Sequence, residues 1–500
     1  MPDVDFLSAL AARRPGLDAL EPVWRTIDDV LSGKIKRRGS SASGGGWYSP
    51  YFPKGRLEPE SEYSLRVELT PFFPQTPQIL ASRLGALFKT RLQIETGGDA
   101  RLEYFIKNAG RRHASFEDLA VQAACMSQSH GFCAALLDRD PLPESSRTSA
   151  PSQAEADALN LGRPYLALYA ASEILDWDFG SDGRLAWVKF GEEELARPSW
   201  DSSTESVRVY RIVDREAIHV YRVQRAPHPQ PLSPEGRGEN GNGEWRVFAE
   251  TPVKHGFGEV PVAFLHPFPA RDGIGRPILQ RAAEADVAAA RVLSDLVWDL
   301  FLLGNPILTL KTGRTDDELV RLGLGATRYI PLRNGRPGIE NAEELAFVQL
   351  DPTGIELLFR AHGLFASQAS KLSGGEEVSS GVPQQQSGVA HAWRFKTGEE
   401  RILFLLARAL EPFLARCLEF AADALGVDGD APIVRMPESF DVTTPAESLD
   451  TSERIINLAR SLGQTELART ALQRVEATLG VLPKVTREKI AAERAEMGRE

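Results

Sequence analysis

From Pro277 to Leu303 the chain carries apolar residues at Ile278, Ala282, Ala285, Ala289, Val292, Leu296 and Leu300, in steps of four or three. That spacing keeps one face of a helix apolar, and Gly304-Asn305-Pro306 ends it. Such a helix is roughly 40 Å long at 1.5 Å per residue. A second helical pattern runs from about 353 to 371, and the two stripes together exceed what one narrow stalk can bury within a single subunit. A third runs from about 393 to 426 with Pro412 inside it, where loss of a hydrogen bond predicts a kink. Between the second and third lies SKLSGGEEVSSGVPQQQSGVAHAW, residues 370 to 393, a polar loop of a length that in a compact domain is usually functional or disordered.

Upstream, the pattern is mixed. Leu20, Trp24, Ile27 and Leu31 predict a helix over 17–32, stopped by Gly33. The basic, Gly/Ser-rich and then aromatic stretch KIKRRGSSASGGGWYSPYFPKG reads as a mobile or partner-ordered arm. Thr76-Pro77 predicts a helix start with Thr as the cap, running to about residue 91. Ser115 and Asp118 form a capping-box pattern for a helix that ends at Gly131 and feeds a buried strand, FCAALLD. After a Pro/Ser/Ala-rich loop at 139–162, six short alternating runs between Tyr165 and Pro267 predict an antiparallel meander, interrupted by a Pro/Gly-rich excursion at 225–245. Past the long helix, PILTL, ATRYIPL and AFVQL predict a small strand module with a short helix signal at TDDELVRLG, and 446–500 reads as short helices.

The usual chemistries are not found. Fifty-eight basic against 69 acidic residues, a net charge of −11, argue against a surface that grips nucleic acid all over by counterion release. Cys125, Cys133 and Cys417 lie in apolar contexts without a CxxC, and read as buried thiols in a reducing compartment. No basic-then-apolar leader and no membrane-length apolar run is found, which predicts a chain made in the cytoplasm. The eight histidines are scattered, and no phosphate-binding glycine loop sits between a strand and a helix. Acidic groups at Glu192–Glu194 and around Asp428 and Asp430 read as solvated loop charge, and Asp316–Glu318 fits a helix start.

The order of these segments resembles the portal proteins of tailed bacteriophages and prophages. The resemblance is carried by VPVAFLHPFPARDGIGRPILQRAAEADVAAARVLSDLVWDLFLLGNPILTL, by IENAEELAFVQLDPTGIELLFRAHGLFASQASKLSGG and by LARALEPFLARCLEF, with HGFCAALLDRD and RPYLALYAASEILDW upstream. It covers about residues 20 to 480 and departs at the 225–245 insertion and the N-terminal arm. It implies an α+β fold: an N-terminal arm and α/β wing (1–275), a stem helix (276–303), a clip (304–351), a returning stem helix (352–371), a tunnel loop (372–392), a long kinked helix (393–426) and a helical crown (427–500). It implies a ring, typically of twelve subunits, at a capsid vertex, with double-stranded DNA passing through it during packaging and ejection. The implied partners are the terminase large subunit, a head-tail adaptor, and the major capsid and scaffolding proteins. The implied setting is the virion, with assembly in the host cytoplasm, no membrane, no cofactor, no metal and no catalytic site.

On that resemblance the DNA-facing tunnel-loop residues are Ser373, Gly374, Gly375, Ser379, Ser380, Gln384, Gln385 and Gln386, with Lys371, Arg394 and Lys396 as candidate phosphate contacts. Glycines permit loop motion, while hydroxyls and amides can hydrogen-bond phosphate without the large counterion release of a basic cluster. The same stretch also has the composition of an ordinary linker. The competing class is a phage or bacterial hydrolase or nucleic-acid-processing enzyme with an acidic site drawn from Asp176, Asp178 and Glu192.

Overall fold

The computed structural model describes residues 3–36, 39–40, 47–56, 58–139, 162–196, 205–225, 245–268, 273–304, 307–312, 329–333, 344–348, 352–372, 399–427, 431–437 and 440. The chain divides into two units, 1–383 with 402–438, and 384–401 with 439–500. The second lies almost wholly outside the described residues. The helix signal at TDDELVRLG, the acidic groups at 316–318, 428 and 430, the tail helices and the interior of the 225–245 insertion also lie outside the described residues.

The chain is α+β, as expected. The first third holds α1 (Asp3–Ala11), α2 (Glu21–Leu31), β1 (Gly39–Ser40), β2 (Trp47–Tyr48), α3 (Glu60–Leu69), α4 (Thr76–Leu87), β3 (Gln93–Glu95), α5 (Ala100–Lys107) and α6 (Phe116–His130). The capping box forms: Asp118 N donates to Ser115 Oγ at 3.1 Å, and Ser115 N donates to the Asp118 carboxylate at 3.0 Å. Gly131, at φ 92°, then ends α6 and leads into β4 (Cys133–Arg139), buried from Cys133 to Asp138.

A strand buried on both faces must pair on both edges to satisfy its backbone. Here the meander expectation is corrected. The first predicted run splits at Ala171-Ser172-Glu173 into β5 (Pro164–Ala170) and β6 (Ile174–Phe179). Only β6, β7 (Leu185–Ala196), β8 (Glu205–Asp214), β9 (Ala217–Arg225) and β10 (Trp245–Ala249) form the sequential antiparallel sheet, with β11 (Val253–Lys254) folding back on β9. β5 and the last run, β12 (Val262–Leu265), instead flank β4 in a separate three-stranded sheet. The two sheets share one core. Tyr169 of β5 stacks on Phe190 of β7 with ring centroids 4.0 Å apart, and Phe132 meets Trp177 of β6 edge-on at 5.8 Å. On the other face of the larger sheet, Leu7 and Leu10 of α1 cover Leu175, Tyr210 and Val223, and Lys189 Nζ donates to Ala9 O near the end of α1.

The later half holds α7 (Gln280–Gly304), β13 (Ile307–Thr312), β14 (Tyr329–Arg333), β15 (Glu344–Val348), α8 (Pro352–Leu372), α9 (Glu399–Leu425) and β16 (Ile433–Arg435). β13 is the centre of a three-stranded module, parallel to β14 and antiparallel to β15. The pairing of Ile307 with Val348 brings the end of α7 beside the start of α8. Two helices that meet there and pack along each other run antiparallel. α9 passes through Pro412 as one helix, with Leu410, Phe413 and Leu414 buried about it.

Two buried stripes run on opposite faces of α7. Ala283, Val287 and Ala290 pack with Ile27 and Val30 of α2 and with Tyr63 and Val67 of α3. Ala285, Ala289 and Leu296 are buried about half a turn away, in line with Ala282, which meets Ile79 and Leu80 of α4. The arm at 34–55 is corrected in the same core: Ile35, Tyr51 and Phe52 are buried there, Ser49 Oγ donates to Ile35 O, and Tyr51 OH donates to Asp29. Both ends of the arm are pinned because its apolar residues and hydroxyls find partners on α2, α3 and α7.

Candidate functional site

The segment that leads from β12 into α7 is the first element that positions that helix. Gly131 and Gly275 cross with their backbones in contact: a Cβ built on Gly275 would lie 2.4 Å from Gly131 O, and one on Gly131 would lie 2.3 Å from Gly275 O. Only glycine pairs allow that approach. It seats the end of α6 against the chain that enters α7.

Two buried polar locks then hold α7 in place. Asp286, buried in mid-helix, accepts from Gln75 N at 3.0 Å, Thr76 N at 2.9 Å and Thr76 Oγ1 at 2.6 Å. It therefore caps α4, and the expectation that Thr76 is the cap is corrected: Thr76 lies inside the helix, with no side-chain cap from Gln75. Burial pushes the Asp286 carboxyl up, against the pull of these donors. The second lock is Arg66 of α3. It donates to Glu58 at 2.8 and 3.0 Å, to Ser294 Oγ of α7 at 2.9 Å and to Pro53 O at 2.9 Å. The hydrogen bond from Arg66 holds Glu58 below the ordinary carboxylate value. Further along α7, burial raises Asp295 and Asp299.

The loop residues Ser373, Gly374, Gly375, Ser379, Ser380, Gln384, Gln385 and Gln386 lie outside the described residues, as do Arg394 and Lys396. Lys371 is placed in the last turn of α8. The loop therefore leaves from the end of α8.

The acidic residues of the competing reading are described, and they do not converge. Asp176 pairs in register with Lys189 and Asp178 with Trp187; Asp176 lies 3.8 Å from Arg14. Glu192 turns to the other sheet, where it accepts from Tyr169 OH at 2.7 Å and lies 2.8 Å from Arg211 Nε. Arg211 also reaches Asp138 of β4 at 3.0 Å, and Tyr165 OH donates to Asp138 at 2.9 Å. Burial raises both phenols, so they stay protonated donors. Glu192 and Glu194 are thus not solvated loop charges: both sit in β7, Glu194 paired with Arg222 at 2.6 Å. Their partners are cross-strand arginines that the sequence alone does not bring near them.

One constellation has no counterpart in the sequence motifs. Ser129 Oγ lies 2.8 Å from His130 Nδ1, and His130 Nε2 lies 3.4 Å from Asp28. The Ser129 hydroxyl is buried and within hydrogen-bond reach of Cys125 O and Met126 O of its own helix. Its place is the α6 C-terminus packed on α2, where Trp24 Nε1 donates to His130 O at 2.9 Å. Cys133 and Cys417 are buried and Cys125 half-buried, and burial raises all three thiols. Among the described residues no group of three or more His, Cys, Asp or Glu side chains could hold a metal ion, and no helix is long and apolar enough to cross a membrane.

The helical pair itself keeps apolar side chains in solvent. Leu357, Phe359 and Leu364 of α8 are 63, 60 and 55% exposed, and Leu300 of α7 is exposed as well.

No family model matches the sequence, and no curated protein does. Among solved structures, the chain is similar to one from the neck of an empty gene transfer agent (GTA) particle computed with C6 symmetry, with 12% identity and a TM-score of 0.42 over 80% of this chain and 89% of that one. It is also similar to one from the virion of a native GTA particle, with 12% identity and a TM-score of 0.39 over 77% and 84%. A third is from the neck of a native GTA particle computed with C12 symmetry, again at 12% and 0.39, over 79% and 88%.

Proposed function

We propose that this protein is a portal-type structural subunit of a phage-like particle, forming a ring at the capsid vertex through which DNA is packaged and ejected, and that it is not an enzyme. The observation that carries the reading is the antiparallel α7/α8 pair with its small β module. Its lengths, 25 and 21 residues, and its order match the stem and clip that the sequence resemblance implies, and it leaves apolar side chains of α8 exposed in a lone subunit. Apolar surface of that kind marks a contact with another chain.

In this reading the 372–392 tunnel loop leads from the end of α8 toward the channel, where Ser379, Ser380 and Gln384–Gln386 meet phosphates and Lys371, Arg394 and Lys396 supply the few charged contacts. A conduit needs contacts that form and release, which hydroxyls and amides provide. Terminase, a head-tail adaptor, and capsid and scaffolding proteins are the partners that follow.

The test is native mass spectrometry with negative-stain imaging of the recombinant full chain. Rings near about 660 kDa are expected, twelve times 54.9 kDa. A clean monomer at micromolar concentration, with or without added salt, would overturn the reading.

A further inference from the structure

The layer of helices around α7 has two outward faces, and they are complementary. α2 and α3 pack on one buried stripe of α7, α8 runs along α7, and a second buried stripe lies about half a turn from the first. On α3, Tyr63 and Val67 turn to α7, and Leu65 and Leu69, with Glu62 on the same ridge, lie about 200° or more round the helix. All three are exposed, and Phe73 beyond the helix continues the ridge into solvent. On α8, Ala369 is buried and Leu358, His362 and Phe365 are half-buried on one side; Leu357, Arg360 and Leu364 lie about 200° round from it, also exposed. One ridge is apolar with a carboxylate, the other apolar with a guanidinium.

The ridges also share a level. Arg66 on α3 contacts Ser294 and Asp295 of α7. Counting back from the Ile307–Val348 pair at equal rise, Ser294 stands level with about residue 361 of α8. Leu357 and Leu364 bracket that height. Among the described residues Arg360 pairs with Glu356, an exposed pair at 2.7 Å with side chains 74 and 66% exposed, which contributes little and exchanges readily for a new partner.

We infer that the Glu62–Leu65–Leu69 ridge of α3 docks on the Leu357–Arg360–Leu364 ridge of α8 in a second copy of this chain, repeating α3–α7–α8 from subunit to subunit. Two different patches in contact make a heterologous interface, which propagates from copy to copy rather than stopping at a two-fold dimer and forms a ring when its rotation closes. The inference rests on the ring reading and names its contact.

The experiment uses full-length Leu65→Glu/Leu69→Glu and Leu357→Glu/Leu364→Glu variants, with circular dichroism melts as the folding control and mass photometry as the readout. Each variant alone should lose rings and remain monomeric. Mixed one to one they should give a dimer and nothing larger, because each retains the face that the other lacks. Glu62→Arg should weaken assembly at least tenfold in the concentration required, and adding Arg360→Glu to it should restore assembly. If the wild type forms rings and either double variant still does so at unchanged concentration, or if the mixture stays monomeric, the assigned contact is wrong while the ring stands. A wild type that never assembles removes the ring reading itself.

Discussion

Substituting Gly275 by alanine tests the backbone crossing that seats α7, and the structure decides the sign. Where the backbone and the space around it accept alanine, Gly→Ala stabilises by about 0.4–1 kcal/mol, because the unfolded chain loses freedom. At Gly275 the new methyl would stand 2.4 Å from Gly131 O, 2.9 Å from Gly131 C and 3.3 Å from Phe132 Cβ. Carbon and oxygen settle near about 3.3–3.6 Å, so the two segments must part by about 1 Å. The obstacle is backbone rather than a flexible side-chain end. Overpacking of this kind costs about 1–3 kcal/mol, and the net expectation is a loss of about 1–2 kcal/mol. Gly131→Ala meets Gly275 O at 2.3 Å and also sits at φ 92°, which adds about 1–2 kcal/mol. Gly85, in α4 with nothing within 4 Å of where a Cβ would stand, is the control and should gain about 0.5–1 kcal/mol. Once the segments have parted, the second methyl costs less, so Gly131→Ala/Gly275→Ala should fall short of the sum of the singles by at least about 0.5 kcal/mol. Urea unfolding followed by tryptophan fluorescence reads all four variants. A Gly275→Ala variant as stable as the wild type, or a Gly85→Ala variant that loses more than Gly275→Ala does, would refute the reasoning.

Three further outcomes follow from the locks and the loop. Asp286→Ala leaves the first N–H groups of α4 and the Thr76 hydroxyl without their acceptor, and should cost about 2–4 kcal/mol in a denaturation midpoint series; a loss under about 0.5 kcal/mol would mean that α4 does not depend on α7 for its cap. Glu58 has a folded-state value below its unfolded one, so its stabilisation is full above the unfolded value and disappears as pH falls through the folded one. The melting temperature of Glu58→Gln should therefore lie below that of the wild type at pH 7 and converge on it under acid, and a constant gap across the range would contradict the pairing with Arg66. Deleting 376–386 should spare ring formation and reduce DNA retention in the particle; loss of rings in that variant would make the segment a subunit contact instead.

The sequence is legible where the cause of structure is local. The Ser115–Asp118 box, the stop at Gly131 and the stripe along α7 all act within a few residues, and each element stands where its pattern placed it, the helix ends shifted by one to four residues. What periodicity does not carry is which distant group satisfies a given donor or charge. Thr76-Pro77 marks a helix start correctly, but the acceptor lies 210 positions away on Asp286. The six alternating runs are real strands, yet nothing in their alternation says that β5 and β12 leave the meander to pair with β4. Glu192 looks like loop charge until β8 brings Arg211 beside it.

Asp286 itself was a readable sign, a carboxylate one position past the apolar stripe in a helix otherwise built of alanine and valine at that level. A buried charge there is costly unless partnered, so its presence implies a donor set from another element. The same reasoning applies to the outward ridges. Leucines on the outward side of α3 and α8 keep a third to two thirds of their surface in solvent in the lone subunit. Larger apolar side chains of the same layer, Tyr63, Val67, Ile27 and Leu296 among them, are buried within the subunit, so the outward leucines are the part of its apolar surface that is left for another chain to cover.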